Sequence, residues 1–318
     1  MKTAILGHLT PFARIVFVIL LLITGLIVTL GLAILFAIPI FHINLLTDST
    51  VLTNLNNPAA VALMKYLQII QAVGIFILPP LLAGYLFEKN ILGWLGMKKN
   101  PGVLIFFIVI LIMLFSIPFI SWMVSVNESM KLPSFMAGIE QWMHEAEDQA
   151  SQLTTAFLNV SSASGFLVNI LMIVILPAVG EELLFRGLLQ RLFADWFRNA
   201  HVAIFITAFI FGAVHLQFYG LLPRVLLGVI FGYLYYWTGS LWVPVFAHFL
   251  NNGAVVIAAF LSNLGIIRPD YEPLGGTDNF FLIAGSLLVT VGLLVFVYGK
   301  YKKEGRVSLD HGQDDAQG

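Results

Sequence analysis

The chain has 318 residues, a formal net charge of −1 at pH 7 and a mean hydropathy of +0.93. Hydrophobic residues make up 59% of it and charged residues 10%, whereas a water-soluble domain has about 25% charged residues. So few charges exclude a soluble globule and indicate an integral membrane protein. The apolar residues stand in unbroken blocks, which excludes a membrane β-barrel, and the near-neutral charge gives no sign of nucleic-acid binding. Because cysteine is absent from the sequence, disulfides and a cysteine nucleophile are excluded.

The apolar blocks predict an all-α fold, a polytopic membrane bundle of about eight transmembrane helices, because a bilayer core needs roughly 20 apolar residues per helix. In chain order they cover residues 15–41, 66–87, 103–126, 164–180, 202–223, 225–237, 241–261 and 279–299. We expect the fourth span to continue as a helix past the charges that follow it. The first span is too long for the apolar region of a signal peptide, so we interpret it as a retained helix. Residues 133–155 predict a surface helix or a small external lid.

Basic residues favour the cytoplasmic side of a membrane and therefore indicate orientation. With the N-terminus inside, most Lys and Arg residues fall in cytoplasmic segments, among them Lys2, Lys89 and Arg306. The opposite loop, 127–163, is mostly acidic, with Glu128, Glu140, Glu145, Glu147 and Asp148 against Lys131. We therefore expect both termini in the cytoplasm, and a disordered polar tail at 304–318.

Ionisable side chains enter the predicted spans between Gly180 and Asn252. A charged side chain in hydrocarbon costs at least about 2.5–3.5 kcal/mol on insertion scales, so each one requires a reason. Glu182 and Arg186 are four residues apart with the acid first, which is the favourable order for an ion pair on a helix. Glu181 points about 100° away from that pair. This pattern favours one neutralised carboxylate beside a second one that acts as a base. An interfacial salt-bridge cluster explains the same run equally well.

Two histidines lie in later spans, each four residues from a second notable side chain. His215 follows Phe211 and His248 precedes Asn252, so each pair shares a helix face. A lone intramembrane histidine is more often a packed, hydrogen-bonded residue, and asparagines also join helices by hydrogen bonds. Together, however, these side chains can activate a water molecule and stabilise an oxyanion. The groups are a carboxylate base, two imidazoles and an amide donor, from Glu181, His215, His248 and Asn252.

A zinc site through Glu181, His215 and His248 stays open, because two histidines and a glutamate are a known catalytic ligand set. The His-Glu-x-x-His helix is absent, and Asn252 suits an oxyanion donor better than a zinc ligand. The residues therefore favour a metal-free site without deciding the matter. The sequence has no Gly-x-Ser-x-Gly nucleophile motif, no aspartate within a predicted span and no Gly-rich phosphate loop.

Three spaced pairs in this order resemble the CAAX prenyl endopeptidase and bacteriocin-processing family of intramembrane proteases, also called CPBP or Abi. The resemblance covers about residues 164–260. It depends on Glu181-Glu182-x-x-x-Arg186, on Phe211-x-x-x-His215 and on His248-x-x-x-Asn252, and the stretch Thr238-Gly239-Ser240-Leu241-Trp242 is also typical.

The resemblance implies a role for each matched residue. Glu181 would activate the attacking water, and His215 would help to polarise it. Glu182 and Arg186 would brace the site. The tetrahedral oxyanion would be held by His248 and Asn252. Members of the family have been described both as metalloproteases and as glutamate-dependent proteases, so the resemblance leaves the metal question open.

The resemblance also predicts the organisation of the chain. Residues 1–163 would be an N-terminal scaffold of three spans with an external loop, and 164–262 the catalytic core. An external loop and the last span would follow at 263–303, then the tail. The expected function is hydrolysis of a peptide bond in a membrane-anchored, CAAX-type prenylated peptide or protein, with membrane lipid as the surroundings. The alternatives are a non-catalytic immunity or scaffold protein and, less favoured, a transporter, because ionisable residues in spans also mark ion paths.

Overall fold

The computed structural model describes residues 4–45, 47, 49–88, 90–268 and 279–304, and these form helices without any strand. The main helices are α1 (Pro11–Phe41), α2 (Pro58–Phe87), α3 (Val103–Ser129), α4 (Ala137–Leu158), α5 (Ala163–Phe197), α6 (Ala200–Ala213), α7 (Leu221–Thr238), α8 (Trp242–Asn263) and α9 (Phe280–Lys303). A single helical turn lies at Ile91–Trp94, and short 3₁₀ turns lie at Ser49–Thr53, Ser134–Met136 and Phe218–Gly220. The predicted all-α fold is confirmed.

Within the described part of the chain, seven helices are long and apolar enough to cross a membrane. They are α1, α2, α3, α5, α7 together with the turn that precedes it, α8 and α9. Helix α6 is apolar but shorter, and α4 is the helix expected at 133–155. The polytopic membrane bundle is therefore confirmed, and the fourth predicted span does continue as a helix to Phe197.

The predicted fifth and sixth spans, 202–223 and 225–237, are wrong in their bounds. Helix α6 ends at Ala213, and the next helix begins only after a non-helical segment that contains His215. In that segment Leu216 adopts a left-handed φ of 53°, which an α-helix does not allow. The apolar residues continue without interruption through this break, so hydropathy does not indicate it. Helix α7 is longer than the predicted sixth span.

Side chains from elsewhere in the chain satisfy the backbone groups that this break leaves open. Asn127 at the end of α3 donates from Nδ2 to Phe218 O at 2.9 Å and accepts from Leu222 N at 2.8 Å. Arg224 donates to Gln217 O at 3.0 Å and to Gln217 Oε1 at 2.6 Å. Helix ends need such partners because their terminal N–H and C=O groups have none within the helix.

Two helices begin earlier than the predicted spans because each has its own N-terminal cap. Thr10 Oγ1 accepts from Ala13 N ahead of Pro11, and Asn57 Oδ1 accepts from Ala59 N ahead of Pro58. Proline is favoured at the first helical position, where its missing N–H has no cost. Helix α2 therefore includes Lys65, which the predicted span 66–87 leaves out.

The chain divides into two compact units. The first comprises Met1–Ile91, Pro133–Leu184 and His248–Tyr271, and the second comprises Leu92–Leu132, Phe185–Ala247 and Glu272–Gly318. Helix α5 passes from the first unit to the second after Leu184, and α8 passes from the second to the first after Ala247. The regions predicted from the sequence, with bounds near 163, 262 and 303, stay a prediction.

In the first unit, α1 packs closely on α2. A Cβ at Gly25 would lie 2.5 Å from Gly74 O, so only glycine permits this approach of the two backbones. At the other side of the unit, the rings of Phe166 on α5 and Phe260 on α8 stack with their centroids 4.5 Å apart. These contacts position α5 and the second part of α8 within the unit.

In the second unit, α9 contacts α3 close to a proline of α3. Pro118 lies inside α3, and Ser286 of α9 stands between Phe119 N and Phe115 O. The amide of Phe119 donates to Ser286 Oγ at 3.1 Å, and Ser286 Oγ donates to Phe115 O at 2.6 Å. A side chain thus replaces one direct hydrogen bond of the helix, which is a recognised cause of helix bending.

Several predictions fall on residues outside the described ranges. These are the disordered tail beyond Glu304, residues 269–278 of the second external loop, and the basic residues Lys2, Lys89 and Arg306.

Candidate active site

Helix α5 carries the two adjacent carboxylates, and a proline shapes the helix just before them. Residues Ile170–Ile175 form a π-helical segment, and Pro177 stands at the start of the α-helical turn that follows. Pro177 has no N–H to offer to the carbonyl four residues earlier, which is Ile173 O. Asn252 of α8 donates to this carbonyl from Nδ2 at 2.9 Å. The asparagine of the third motif therefore binds the backbone of the helix that carries the first.

Gly180 precedes the carboxylates and lies against α2. A Cβ at this position would lie 2.8 Å from the Cβ of Phe76, closer than real Cβ contacts allow. The missing side chain lets α5 approach α2 at the level of the carboxylates, so packing fixes this part of α5.

Glu182 is fully buried, and one oxygen of its carboxylate anchors His248. His248 Nδ1 lies 2.8 Å from Glu182 Oε1 and donates to it, and His248 is itself 4% exposed. With its proton on Nδ1, a neutral imidazole carries its lone pair on Nε2. Glu182 thereby fixes both the orientation and the tautomer of the ring.

Glu181 faces the other nitrogen of the same ring. Its Oε2 lies 3.9 Å from His248 Nε2, and the Glu181 side chain is 12% exposed. The 3.9 Å separation is too long for a hydrogen bond but shorter than two hydrogen-bond lengths. Glu181 Oε2 is buried and accepts no hydrogen bond from any residue that the structure describes. The two atoms therefore face each other without a direct hydrogen bond.

Arg186 is described with the second unit, where it is fully buried. Its Nη2 donates to Gly228 O at 3.1 Å, and its guanidinium carbon lies 4.7 Å from the ring centroid of Phe211 and 5.4 Å from that of Phe231. Arg186 thus holds α5 to α6 and α7 by a hydrogen bond and two cation–π contacts. The Glu182–Arg186 ion pair stays a prediction.

His215 lies just beyond the end of α6 in the second unit. Its Nδ1 donates to Phe211 O at 2.8 Å, so the lone pair of the neutral ring is on Nε2. The predicted four-residue spacing of Phe211 and His215 is therefore a hydrogen bond from the ring to the backbone, and the aromatic ring of Phe211 packs edge-on at 5.3 Å. Catalysis and metal binding both require a ring oriented in this way.

The fit of these residues to a metal ion can be tested from their geometry. Both histidines donate from Nδ1 to an oxygen, as metal-ligating histidines do. However, within the described ranges, no three His, Asp or Glu side chains form a group that could hold a metal ion. The zinc alternative of the sequence analysis gains no support from this arrangement, and we derive no step through a metal.

The stretch Thr238–Trp242 connects α7 to α8 and has a structural role in the second unit. Gly239 adopts a left-handed φ of 61°, and Thr238 Oγ1 donates to Leu234 O at 2.7 Å. Ser240 Oγ donates to Lys99 O at 2.9 Å, and Trp242 Nε1 donates to Met97 O at 2.9 Å. These bonds fix where α8 begins.

Of the residues predicted for the site, the first unit therefore brings Glu181, Glu182 and His248 together, and Asn252, one turn further along α8, bonds to α5 at Ile173. Arg186 and His215 are placed in the second unit. Sequence reasoning missed Ile173 and Pro177 as partners of Asn252, although a proline four residues after a buried carbonyl is a signal for a missing helix hydrogen bond.

The fold and these groups define the chain as a multi-pass α-helical membrane protein with a buried carboxylate–imidazole cluster. Residues 163–254 match the family described as Type II CAAX prenyl endopeptidase Rce1-like, which confirms the resemblance inferred from the motifs. The matched segment contains all six predicted site residues.

Two curated proteins of Bacillus subtilis (strain 168) are also similar. One, named "Putative membrane peptidase YdiL", is 36% identical over 110 residues, which cover 34% of this chain and 43% of that protein. The other, named "Uncharacterized protein YpbD", is 31% identical over 86 residues, which cover 26% of this chain and 41% of that protein. The chain thus spans about two fifths of the length of these relatives. No solved structure shows significant similarity to it.

Proposed function

We propose that this protein is an intramembrane endopeptidase that uses Glu181 to activate the water molecule that attacks a peptide bond. The observation that carries the proposal is the 3.9 Å separation of Glu181 Oε2 and His248 Nε2, in a buried site where Glu182 fixes the imidazole. A water molecule between these atoms bonds to both. Buried carboxylates and imidazoles in such a cluster are the groups that general acid–base catalysis uses.

In the proposed reaction the Glu181 carboxylate takes a proton from the water as its oxygen attacks the carbonyl carbon of the substrate. The carbonyl oxygen becomes an oxyanion, which the second N–H of the Asn252 amide stabilises. The resemblance assigns His248 to the same oxyanion, a role in which its Nε2 must carry a proton as well. The protonated Glu181 then gives its proton to the leaving amine, and the C–N bond breaks. The products are a carboxylic acid and an amine, which become a carboxylate and an ammonium group when the acid's proton moves to the amine, and the enzyme returns to its starting state.

The other predicted residues support these groups. Glu182 positions His248 through Nδ1, and Arg186 braces the second half of α5. The resemblance gives His215, whose Nδ1 donates to Phe211 O, the role of polarising the attacking water. These roles are the ones that the family resemblance implies, and the hydrogen bonds of each ring and carboxylate are compatible with them.

The proposed substrate is a membrane-anchored peptide or protein, with a CAAX-type prenylated C-terminus as the first class to test. The family description names CAAX prenyl endopeptidases, and the relative from Bacillus subtilis carries the name of a membrane peptidase. A lipid-anchored peptide also suits a site whose carboxylates lie on a membrane-spanning helix. We retain the expectation that both termini lie in the cytoplasm.

The test is hydrolysis of a farnesylated CAAX peptide by the purified full-length protein in phosphatidylcholine nanodiscs. Glu181→Gln should lower kcat/KM by about 100-fold or more, because general acid–base catalysis contributes about 10²–10⁴-fold. Asp148→Asn, at an exposed carboxylate of α4, is the matched control and should leave the rate unchanged.

Undiminished cleavage by Glu181→Gln would refute the role of this carboxylate. If the wild-type protein in its folded form cleaves neither the farnesylated peptide nor a panel of transmembrane peptides, a non-catalytic immunity or scaffold role replaces the proposal.

A further inference from the structure

A second polar site lies in the first unit, near the N-terminal ends of α2 and α5. An open pocket of about 680 Å³ is lined there by the first turns of α2, the last turn of α4 and the first turns of α5. A cavity of 300–1,000 Å³ is the usual size for a small-molecule site. Neither the motifs nor the proposed reaction uses any residue of this cavity.

Lys65 of α2 is the charged residue of the cavity wall. It is 7% exposed, and its Nζ donates to Phe157 O and to Asn169 Oδ1, both at 2.8 Å. Asn169 Nδ2 also donates to Phe157 O at 2.8 Å, so the three groups form a closed triangle. An ammonium group has three N–H donors, and two of them are used here.

Lys65 forms no ion pair with any residue that the structure describes. Both of its acceptors are neutral amide oxygens, and no carboxylate within the described ranges forms an ion pair with it. Buried charges in proteins are usually paired, and intramembrane ones mark functional sites. A buried cation in a cavity wall without a counter-ion favours an anionic ligand.

The remaining walls are of two kinds. Asn56, Asn159, Ser162 and Ser164 are polar, whereas Val61, Ala62, Ile69 and Val168 are apolar. Ala62 and Val168 are exposed and lie on helices that are long and apolar enough to cross a membrane, so the apolar wall is accessible from outside the helices. A ligand with a polar head and one hydrocarbon chain matches both kinds of wall.

We propose that this cavity binds the anionic headgroup of a single-chain lipid, with the carboxylate or phosphate oxygens on Lys65 Nζ and the chain along Ala62 and Val168. The carboxylate of a fatty acid and the phosphate of a lysophospholipid share the chemistry that Lys65 recognises. A soluble anion fits less well, because it leaves the apolar wall without a partner.

The proposed lipid site is separate from the carboxylate–imidazole cluster. Glu181 lies about 18 Å further along α5 than Asn169, at a rise of about 1.5 Å per residue. Lipid binding and peptide hydrolysis can therefore fail independently, and an inactive Glu181→Gln protein should bind lipid as the wild type does.

The test uses the full chain in phosphatidylcholine nanodiscs and two probes, palmitic acid with a diazirine in its chain and the alcohol of the same chain. After illumination, mass spectrometry locates the label. The acid should label peptides that contain residues 55–69 and 156–168 about tenfold more than the alcohol does, and Lys65→Met should reduce this labelling by about tenfold. Lys65→Arg should retain most of it, and Lys131→Met, at an exposed lysine, should retain all of it.

Ala62→Trp keeps Lys65 and fills the cavity, so it should also abolish the labelling, and it decides the question if Lys65→Met does not fold. Equal labelling by acid and alcohol, undiminished labelling of the folded Lys65→Met protein, or undiminished labelling of Ala62→Trp would overturn the proposal. Loss of acid labelling in excess inorganic phosphate, together with phosphate binding that Ala62→Trp leaves unchanged, would identify a soluble-anion site and also overturn it. The same phosphate competition without such binding supports a shared anion subsite for the lipid head.

Discussion

Helix α5 carries two buried polar clusters in the first unit, and they differ in how completely their atoms are bonded. At Asn169, the ammonium, the amide and the carbonyl of the cluster bond to one another at 2.8 Å. At Glu181 and Glu182, one carboxylate holds His248 at 2.8 Å, while the nearest oxygen of the other stands 3.9 Å from the same ring. The first cluster is joined by direct bonds, whereas in the second Glu181 Oε2 accepts no hydrogen bond from the described residues.

The difference shows two uses of a buried charge in a membrane helix. Direct bonds to Lys65 hold α2, α4 and α5 together, so this cluster should contribute mainly to stability. The wider spacing at His248 leaves Glu181 Oε2 without a hydrogen bond from the described residues, which costs stability but is what a reacting water requires. Substitutions in the two clusters should therefore separate, with activity changing in one and folding in the other.

Among these predictions, the largest change in the rate of peptide hydrolysis should come from substitution of Glu182, because Glu182 positions His248. Glu182→Leu removes the acceptor of Nδ1 and should lower kcat/KM for the farnesylated peptide by about 100-fold. Glu182→Gln retains an acceptor oxygen and should lose only about 10-fold. Glu128→Gln, at an exposed carboxylate of α3, serves as the control. Equal rates for the Gln and Leu variants would show that the hydrogen bond to His248 has no role in catalysis.

Gly180 tests whether packing of α5 on α2 supports the carboxylates. Gly180→Ala places a Cβ 2.8 Å from Phe76 Cβ, and overpacking of this kind costs about 1–3 kcal/mol of the free energy of unfolding. Gly285→Ala is the control, because nothing lies within 4 Å of a Cβ there. Unfolding in mixed micelles measures both. If the two variants are equally stable, the close approach at Gly180 is not required.

Asn169 tests the directly bonded cluster. Asn169→Ala removes an acceptor from Lys65 and a donor from Phe157 O, and should lower the free energy of unfolding by about 1–3 kcal/mol, the cost of leaving a buried polar group unsatisfied. The rate of peptide hydrolysis by the folded fraction should not change. Gln152→Ala, on the exposed face of α4, should alter neither. A loss of kcat without a loss of stability would contradict the separation of the two clusters.

The smallest effect should be the coupling between Asn252 and Pro177. Asn252→Leu leaves Ile173 O without its side-chain donor, at a cost of about 1 kcal/mol. Pro177→Ala restores an N–H that can bond to the same carbonyl, so in that background Asn252→Leu should cost clearly less. A double-mutant cycle measures the difference. Strict additivity would mean that Asn252 does not replace the missing bond.

Much of the fold follows from the sequence because the spans are long apolar blocks. The first three spans, the continuation of α5 past its charges and the helix at α4 were all predictable. The break after Ala213 was not, because its bonds come from Asn127 and Arg224 and a hydrophobicity pattern does not record such distant partners.

The sequence predicts which residues form the candidate site better than it predicts their hydrogen-bond partners. The spacing of His248 and Asn252 placed them on one face of a helix, but their partners, Glu182 and Ile173, lie 66 and 79 residues away. Lys65 was missed because its charge was taken as the edge of the second span, although Asn57 and Pro58 before it form a helix start.

The π-helical segment Ile170–Ile175 has a consequence for how the carboxylates came to face the imidazole. A π segment holds one more residue than the α-helix it replaces, so deleting a single residue there would restore a regular α-helix without turning the residues that follow. Glu181 and Glu182 would keep their spacing to Arg186 and would still face His248. In homologous chains, a one-residue difference in the length of this segment should therefore leave the carboxylates facing the imidazole, whereas the same difference within a regular α-helical turn of α5 should turn them away.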